Sequence, residues 1–205
     1  MKGFYFITDS RISRRGNISD VKSAIKSGVK VVQYRQKNKS ASEMFEEALI
    51  LRRLCKDIIF LVNDRVDIAL AVGADGVHLG QDDFPLSAAR KILGRKKIIG
   101  VTVHNTREAI LAQRSGADYL GVSPIFPTST KSDAGKPLGI ATLKAIRNRV
   151  KIPIIALGGI SLKNAKEVMR SGADGICAIS AVVSKKDVRR EIERFQKTYW
   201  EKGEQ

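Results

Sequence analysis

Residues 63–83 read NDRVDIALAVGADGVHLGQDD. Asn63 and Asp64 end an apolar run, IIFLV (58–62), that has the composition of a buried strand. Gln81, Asp82 and Asp83 follow a second short run, GVHLG (76–80), and between the two lies a short amphipathic helix, RVDIALAVG. A strand–helix–strand unit this compact implies a parallel pair, with both acidic clusters at the carboxyl ends of neighbouring strands. Carboxylates placed there converge on one rim, and hard oxygen donors on one rim suit Mg²⁺.

The same pattern extends in both directions. Strand-like runs FYFIT, VKVVQYR, IIFLVN, GVHLG, KIIGVTV, DYLGVS, IPIIAL and GICAIS alternate with helix-period segments, the last covering 184–202. Helix starts are marked by Ser19, by Ser40 or Ser42, by Pro85 near a first turn, and by Asn105 or Thr106. Eight such units in 205 residues predict a single α/β domain over 1–205, a (βα)₈ TIM barrel with a parallel eight-stranded core. The alternative, an open doubly wound sheet, lacks a glycine-rich turn after its first strand. The tripeptide GAD recurs at 73–75, 116–118 and 172–174, each time between a helix and a strand, with a weaker copy at Gly28. A glycine that ends a helix and permits a tight turn accounts for this without function.

The longest apolar runs are a few residues, so no membrane span is expected. The N-terminus, MKGFYFITDS, has no secretory pattern, and the expected compartment is the cytoplasm. Cys55 and Cys177 are isolated, form no metal spacing, and read as small buried residues. The net charge of +16 favours anionic partners. The basic residues are spread over helix faces beside acids, as in KKDVRREIERFQK, which argues against specific nucleic-acid binding and for phosphorylated small molecules.

In a parallel barrel the functional rim lies at the carboxyl ends of the strands. Gln33, Arg35 and Lys37 alternate along the second strand and its continuation, so they face one way as an anion clamp. Asp64 can also be read as a cap for the helix after it, and Asp82 or Asp83 as a cap for PLSAARKIL. Two acidic clusters at adjacent strand ends opposite a cationic clamp favour the metal reading. Thr102, Val103 and His104 end the fifth strand. His104 reads as a rim or cap residue, and His78, inside GVHLG, as a packed or hydrogen-bonded one. The long loop at 124–139 carries Thr128, Ser129, Thr130 and Lys131, and Gly158–Gly159 follow the seventh strand. Ile179, Ser180 and Ala181 are read as the end of the eighth strand, where backbone N–H groups can cradle phosphate. Acid for a metal and base for phosphate together point to diphosphate chemistry.

These segments together resemble the thiamine phosphate synthase family. QYRQK, NDRVDIALAVGADGVHLGQDD, GVTVHN, GVSPIFPTSTK, IPIIALGGI and the ISA of 179–181 occur in that family's order, over nearly the whole chain. The resemblance implies that Gln33, Arg35, Lys37 and Asn63 bind hydroxymethylpyrimidine diphosphate and that Asp64 and Asp83 hold Mg²⁺. It implies that Lys131 contacts the diphosphate, and that Thr128, Ser129, Thr130, Gly159 and the Ile179–Ser180 backbone hold the thiazole phosphate. Arg35, Lys37, Lys131 and Thr102 would carry catalysis. Thr102 stands where the family usually has Ser, and Gln36 where many relatives have Glu, a change expected to be neutral. The related thiazole tautomerases share the barrel but typically lack both acidic motifs. A tautomerase-like or other phosphate-ligand isomerase is the alternative activity. The oligomeric state is open, with a homo-oligomer compatible.

Overall fold

The computed structural model describes residues 1–130 and 135–200. Eight parallel strands close on themselves in sequence order. They are β1 (Gly3–Ile7), β2 (Val31–Tyr34), β3 (Ile59–Asn63), β4 (Gly76–Leu79), β5 (Ile98–Val103), β6 (Tyr119–Val122), β7 (Ile154–Ala156) and β8 (Gly175–Ile176). Helices α1 (Asn17–Lys26), α2 (Ala41–Leu54), α3 (Val66–Ala71), α4 (Leu86–Leu93), α5 (Thr106–Arg114), α6 (Gly139–Arg147), α7 (Ala165–Arg170), α8 (Ile179–Val183) and α9 (Val188–Trp200) surround them. This is the expected TIM barrel. Among the described residues no helix is long and apolar enough to cross a membrane.

Strand alternation divides the apolar residues into two layers. Phe4, Phe6, Val32, Tyr34, Phe60 and Val62 point outward against the helices, within the larger core. Tyr5, Ile7, Val31, Leu61, Tyr119, Ile155 and Cys177 fill the barrel interior. Glycines in β5 and β6 make room for rings inside. A Cβ on Gly100 would lie 2.0 Å from the Tyr119 ring, and one on Gly121 2.9 Å from His78. Burial holds the Cys55 thiol up at about 12, and both cysteines are buried as read from sequence.

The recurring GAD is more than a glycine turn. Gly73, Gly116 and Gly172 adopt positive φ, but the aspartate does the joining. Asp75, Asp118 and Asp174 donate their backbone N–H to the carbonyls of Phe60, Ile99 and Ile154, each at 2.8 Å. Their carboxylates accept the backbone N–H of those same three residues, at 2.8, 2.7 and 2.9 Å. An arginine from the helix before the first strand of each pair, Arg52 of α2, Arg90 of α4 or Arg147 of α6, completes each joint. The amino-terminal ends of β3–β4, β5–β6 and β7–β8 are thereby clamped in register.

Local boundaries differ from the sequence reading in two places, α1 and the eighth strand, and at α2 the structure selects one of the two starts read. Ser19 lies inside α1, whose N-cap is Gly16. Helix α2 starts from Ser40 rather than Ser42, in a capping box with Glu43. The eighth strand stops at Ile176, and Ile179 and Ser180 open the short α8 instead of ending a strand. An apolar run such as ICAIS has no period that separates a buried strand from a buried helix turn.

Asp118→Ala should lower the melting temperature by roughly 2–8 °C, because the Ile99 N–H loses a charged acceptor worth about 1–2 kcal/mol. The partly exposed Arg90 pair contributes little of this. Thermal unfolding followed by circular dichroism checks it; an unchanged midpoint would remove the clamp from the account of the fold.

Candidate active site

One cavity opens at the carboxyl ends of the strands. Gln33, Arg35, Lys37, Asn63, Asp64, Asp83, Thr102, Thr128, Thr130, Gly159, Ile179 and Ser180 all line it. The structure therefore brings together nearly all the residues singled out from sequence. Ser129 is exposed and outside the lining, and Lys131 lies outside the described residues.

The carboxylates occupy the wall formed by the β3 and β4 ends. Asp64 has φ 63, a left-handed conformation costly for a side chain other than Gly, Asn or Asp. Its backbone N–H donates to the His78 carbonyl at 2.8 Å, which anchors the turn. The N-cap position of α3 is Arg65, without a side-chain cap bond, so capping does not explain Asp64. Nor is Asp82 or Asp83 the cap of α4, which begins after Pro85. The Asp83 carboxylate turns back to accept the Gly80 N–H at 2.7 Å, while Asp82 is exposed.

The Asp64 and Asp83 carboxyls are close enough to interact directly. Burial first, and then the neighbouring Asp83, push the Asp64 carboxyl from 3.8 up to about 6, against the pull of Lys37. Lys37 Nζ donates to Asp64 at 2.6 Å. Two carboxylates that crowd one another at a cavity wall are hard oxygen donors in need of a cation. Among the described residues no group of three acidic, His or Cys side chains forms a fuller metal cage. A pair suits Mg²⁺, which keeps several waters and takes its remaining ligands from substrate phosphate.

The cationic wall depends on residues the sequence reading did not assign. Asp9, 1% exposed, binds Arg35 at 3.0 Å and Arg11 at 2.8 Å. Burial raises the Asp9 carboxyl, but the Arg11 hydrogen bonds and the Arg35 charge outweigh it and hold the group below its usual range. The Thr8 hydroxyl donates to the Arg35 carbonyl and accepts its N–H, so the residue just after β1 holds the Arg35 backbone on both sides. Arg11 also donates to the Thr130 carbonyl at 2.7 Å, tying the loop after β6 to the same wall. Gln36 is buried, and its side-chain oxygen accepts from Lys37 N, Asn38 N and Ser10 Oγ. A Glu oxygen could accept the same three bonds. The available signal for Asp9 was an acid directly after the first strand, opposite an arginine on the next.

Gly158 and Gly159, at φ 86 and 65, carry the loop after β7 against the loop after β6. A Cβ on Gly159 would lie 2.6 Å from Phe126 Cβ and from the Pro127 carbonyl. Asn164 braces this turn, donating to the Gly159 carbonyl and accepting from Ser161 N. His104 is a rim residue, bonded through Nδ1 to Glu108 at 3.1 Å. His78 is buried and hydrogen-bonded through both ring nitrogens.

The proton on Asp64 has a signed consequence. Its folded pKa lies above its unfolded value, so the metal-free protein gains stability from it below about pH 4 and loses that gain as pH rises through about 6. Carboxyl ¹³C NMR titration should place the Asp64 midpoint near 6. Asp83→Asn, which keeps an acceptor for Gly80 N–H, should move that midpoint down. An unmoved midpoint would mean burial alone sets it.

A family model described as thiamine monophosphate synthase matches residues 4–182. The thiamine-phosphate synthase of Methanosarcina mazei is 53% identical over 94% of this chain and 80% of its own length. That of Chloroflexus aurantiacus is 54% identical over 90% of this chain and 86% of its own. The thiamine phosphate pyrophosphorylase structure from Pyrococcus furiosus superposes with a TM-score of 0.90 at 42% identity, over 97% of this chain and 96% of its own. The barrel, the cavity at its strand ends and these similarities place the chain in the thiamine monophosphate synthase family.

Proposed function

We propose that this chain couples 4-amino-5-hydroxymethyl-2-methylpyrimidine diphosphate to a thiazole phosphate, giving thiamine phosphate and diphosphate. With a carboxylated thiazole, CO₂ leaves as well. The observation that carries the reading is the Asp64–Asp83 pair lining one cavity with Arg35 and Lys37, the lysine in direct contact with Asp64, in a chain of this family.

Asp64 and Asp83 would hold Mg²⁺, which when bound neutralises charge on the diphosphate. Arg35 is held by Asp9 with its guanidinium oriented before any ligand arrives. It can bind two phosphate oxygens at once, and Lys37 and Lys131 supply further positive charge. The bond between the pyrimidine methylene carbon and the diphosphate oxygen breaks, and its electron pair departs with diphosphate. The aminopyrimidine ring stabilises the methylene cation. The thiazole nitrogen then donates its lone pair to that carbon. Thr128, Thr130, Gly159 and the Ile179–Ser180 backbone would anchor the thiazole phosphate, holding the nitrogen in reach. Asn63 and Gln33 would contact the pyrimidine substrate. No protein nucleophile is needed, in keeping with the buried thiols and the two hydrogen-bonded histidines.

Purified protein with both substrates and Mg²⁺ should form thiamine phosphate, read by fluorescence after oxidation, and EDTA should abolish it. Asp64→Ala and Asp83→Ala should each lower turnover by at least about 100-fold, the scale of charge stabilisation one divalent ion supplies. Near-normal activity in both would remove the metal assignment. Lys131→Ala should lower kcat more than it raises KM, because charge on the leaving group grows toward the transition state; a pure KM effect contradicts that role. EDTA-insensitive isomerisation of a phosphorylated thiazole, with no coupling, would favour the tautomerase-like alternative.

A further inference from the structure

A line of buried polar groups crosses the floor of the cavity. Gln33 Nε2 donates to the Tyr5 hydroxyl at 2.9 Å. The Tyr5 and Tyr119 hydroxyls lie 2.7 Å apart. Tyr119 is 2.7 Å from His78 Nδ1, and His78 Nε2 is 2.8 Å from Thr102 Oγ1. The members come from β1, β2, β4, β5 and β6, and Gly100 and Gly121 leave the space their rings need. Tyr5, Tyr119, Gln33 and His78 are all buried.

With Gln33 Nε2 as the donor at one end and every hydroxyl proton kept within the chain, the direction of each bond follows. An amide nitrogen donates and does not accept. Tyr5 therefore accepts from Gln33 and has its single proton left for Tyr119. Tyr119 accepts it and has its own proton left for His78 Nδ1. A ring nitrogen that accepts at Nδ1 carries its proton at Nε2 and donates it to Thr102. Thr102 Oγ1 is then occupied as an acceptor, and its hydroxyl proton is left for the cavity it lines. Burial keeps both phenols protonated, so each link retains its single proton. Reversing the Gln33 amide would reverse every link and leave Thr102 without a proton to offer.

We infer that the chain Gln33–Tyr5–Tyr119–His78 is a polarity relay that holds Thr102 as a hydrogen-bond donor to a ring-nitrogen acceptor of the bound heteroaromatic substrate, with His78 and Tyr119 as positioning residues. The identity of that acceptor as a pyrimidine nitrogen rests on the proposed function; the polarity itself does not. A fixed donor at Thr102 rewards a ligand with a lone pair at that point and penalises one presenting N–H or C–H there.

Two measurements test it. The chain has only two histidines, His78 and His104, so ¹⁵N ring labelling of the full-length protein gives two spin systems, assigned with His78→Gln. His78 should show a protonated Nε2 and a bare Nδ1 without any ligand. A proton on Nδ1, alone or together with Nε2, overturns the relay. In kinetics, Tyr119→Phe and Thr102→Val should each raise KM for the pyrimidine diphosphate roughly tenfold, with KM for the thiazole phosphate unchanged. Thr102→Ser should stay within about twofold of the parent. The double variant should be no worse than Thr102→Val, since both changes remove one interaction. Additive losses, or equal losses toward both substrates, would mean a packing role only and overturn the assignment. If the parent shows the expected tautomer but forms no thiamine phosphate, the functional reading fails and the polarity stands. If it turns over with the reversed tautomer, the relay fails alone.

Discussion

Closure of the sheet between β1 and β8 is the constraint on which the cavity depends. It rests on two register pairs, Gly3 with Gly175 and Phe4 with Ile176. The backbones come so close that a Cβ on Gly175 would lie 2.6 Å from the Gly3 carbonyl. Outside this seam Phe4 packs on Phe195 of α9, with ring centroids 5.4 Å apart. Once the circle is closed no strand edge is left, and the tops of eight strands point at one space. An open sheet of the same elements would spread Arg35, Asp64 and Thr102 along a line.

The two rims of the barrel use charge for opposite purposes. At the amino-terminal rim, Asp75, Asp118 and Asp174 have their carboxylates occupied by backbone N–H groups and arginines. That arrangement is complete and holds register. At the other rim Asp9 is likewise complete, with two arginines on a nearly inaccessible carboxylate. Asp64 and Asp83 differ: each has a partner, Lys37 or the Gly80 N–H, and yet the two carboxyls crowd one another. They face each other, one in a left-handed backbone conformation and with its pKa lifted toward 6. Like-charge crowding of this kind persists only when the surrounding fold imposes it. The cost is borne by a barrel whose other end is well joined.

Between the rims the floor of the cavity carries a chain of amide, phenols, imidazole and hydroxyl, each within hydrogen-bond distance of the next. A buried neutral chain with every link partnered is stable and directional. It differs from the flexible cations around it, because each hydroxyl has one proton and hence one direction in which to donate.

Much of this could be read from the chain alone. Residues 63–83 carry two strand ends, their acids and the helix between them, and local periodicity is enough to place them on one rim once the eightfold alternation is recognised. That Gln33, Arg35 and Lys37 share one face was legible because alternation along a strand is a short-range property, and the three do line the cavity together. The GAD repeats were visible as glycine turns, but the work of their aspartates was not, since the N–H groups they accept lie 15, 19 and 20 residues earlier. The end of GICAIS was misread as strand because both buried alternatives are equally apolar. Asp9, Tyr5 and Tyr119 took no part in the sequence reading of the site. Tyr5 and Tyr119 are 114 positions apart, and nothing in either neighbourhood encodes the other. Local sequence determined which residues reach the rim, because strand period and helix caps act over a few residues. Tertiary closure alone decided which of them touch, which carboxylates crowd, and which hydroxyls pair, because those depend on distances across the barrel.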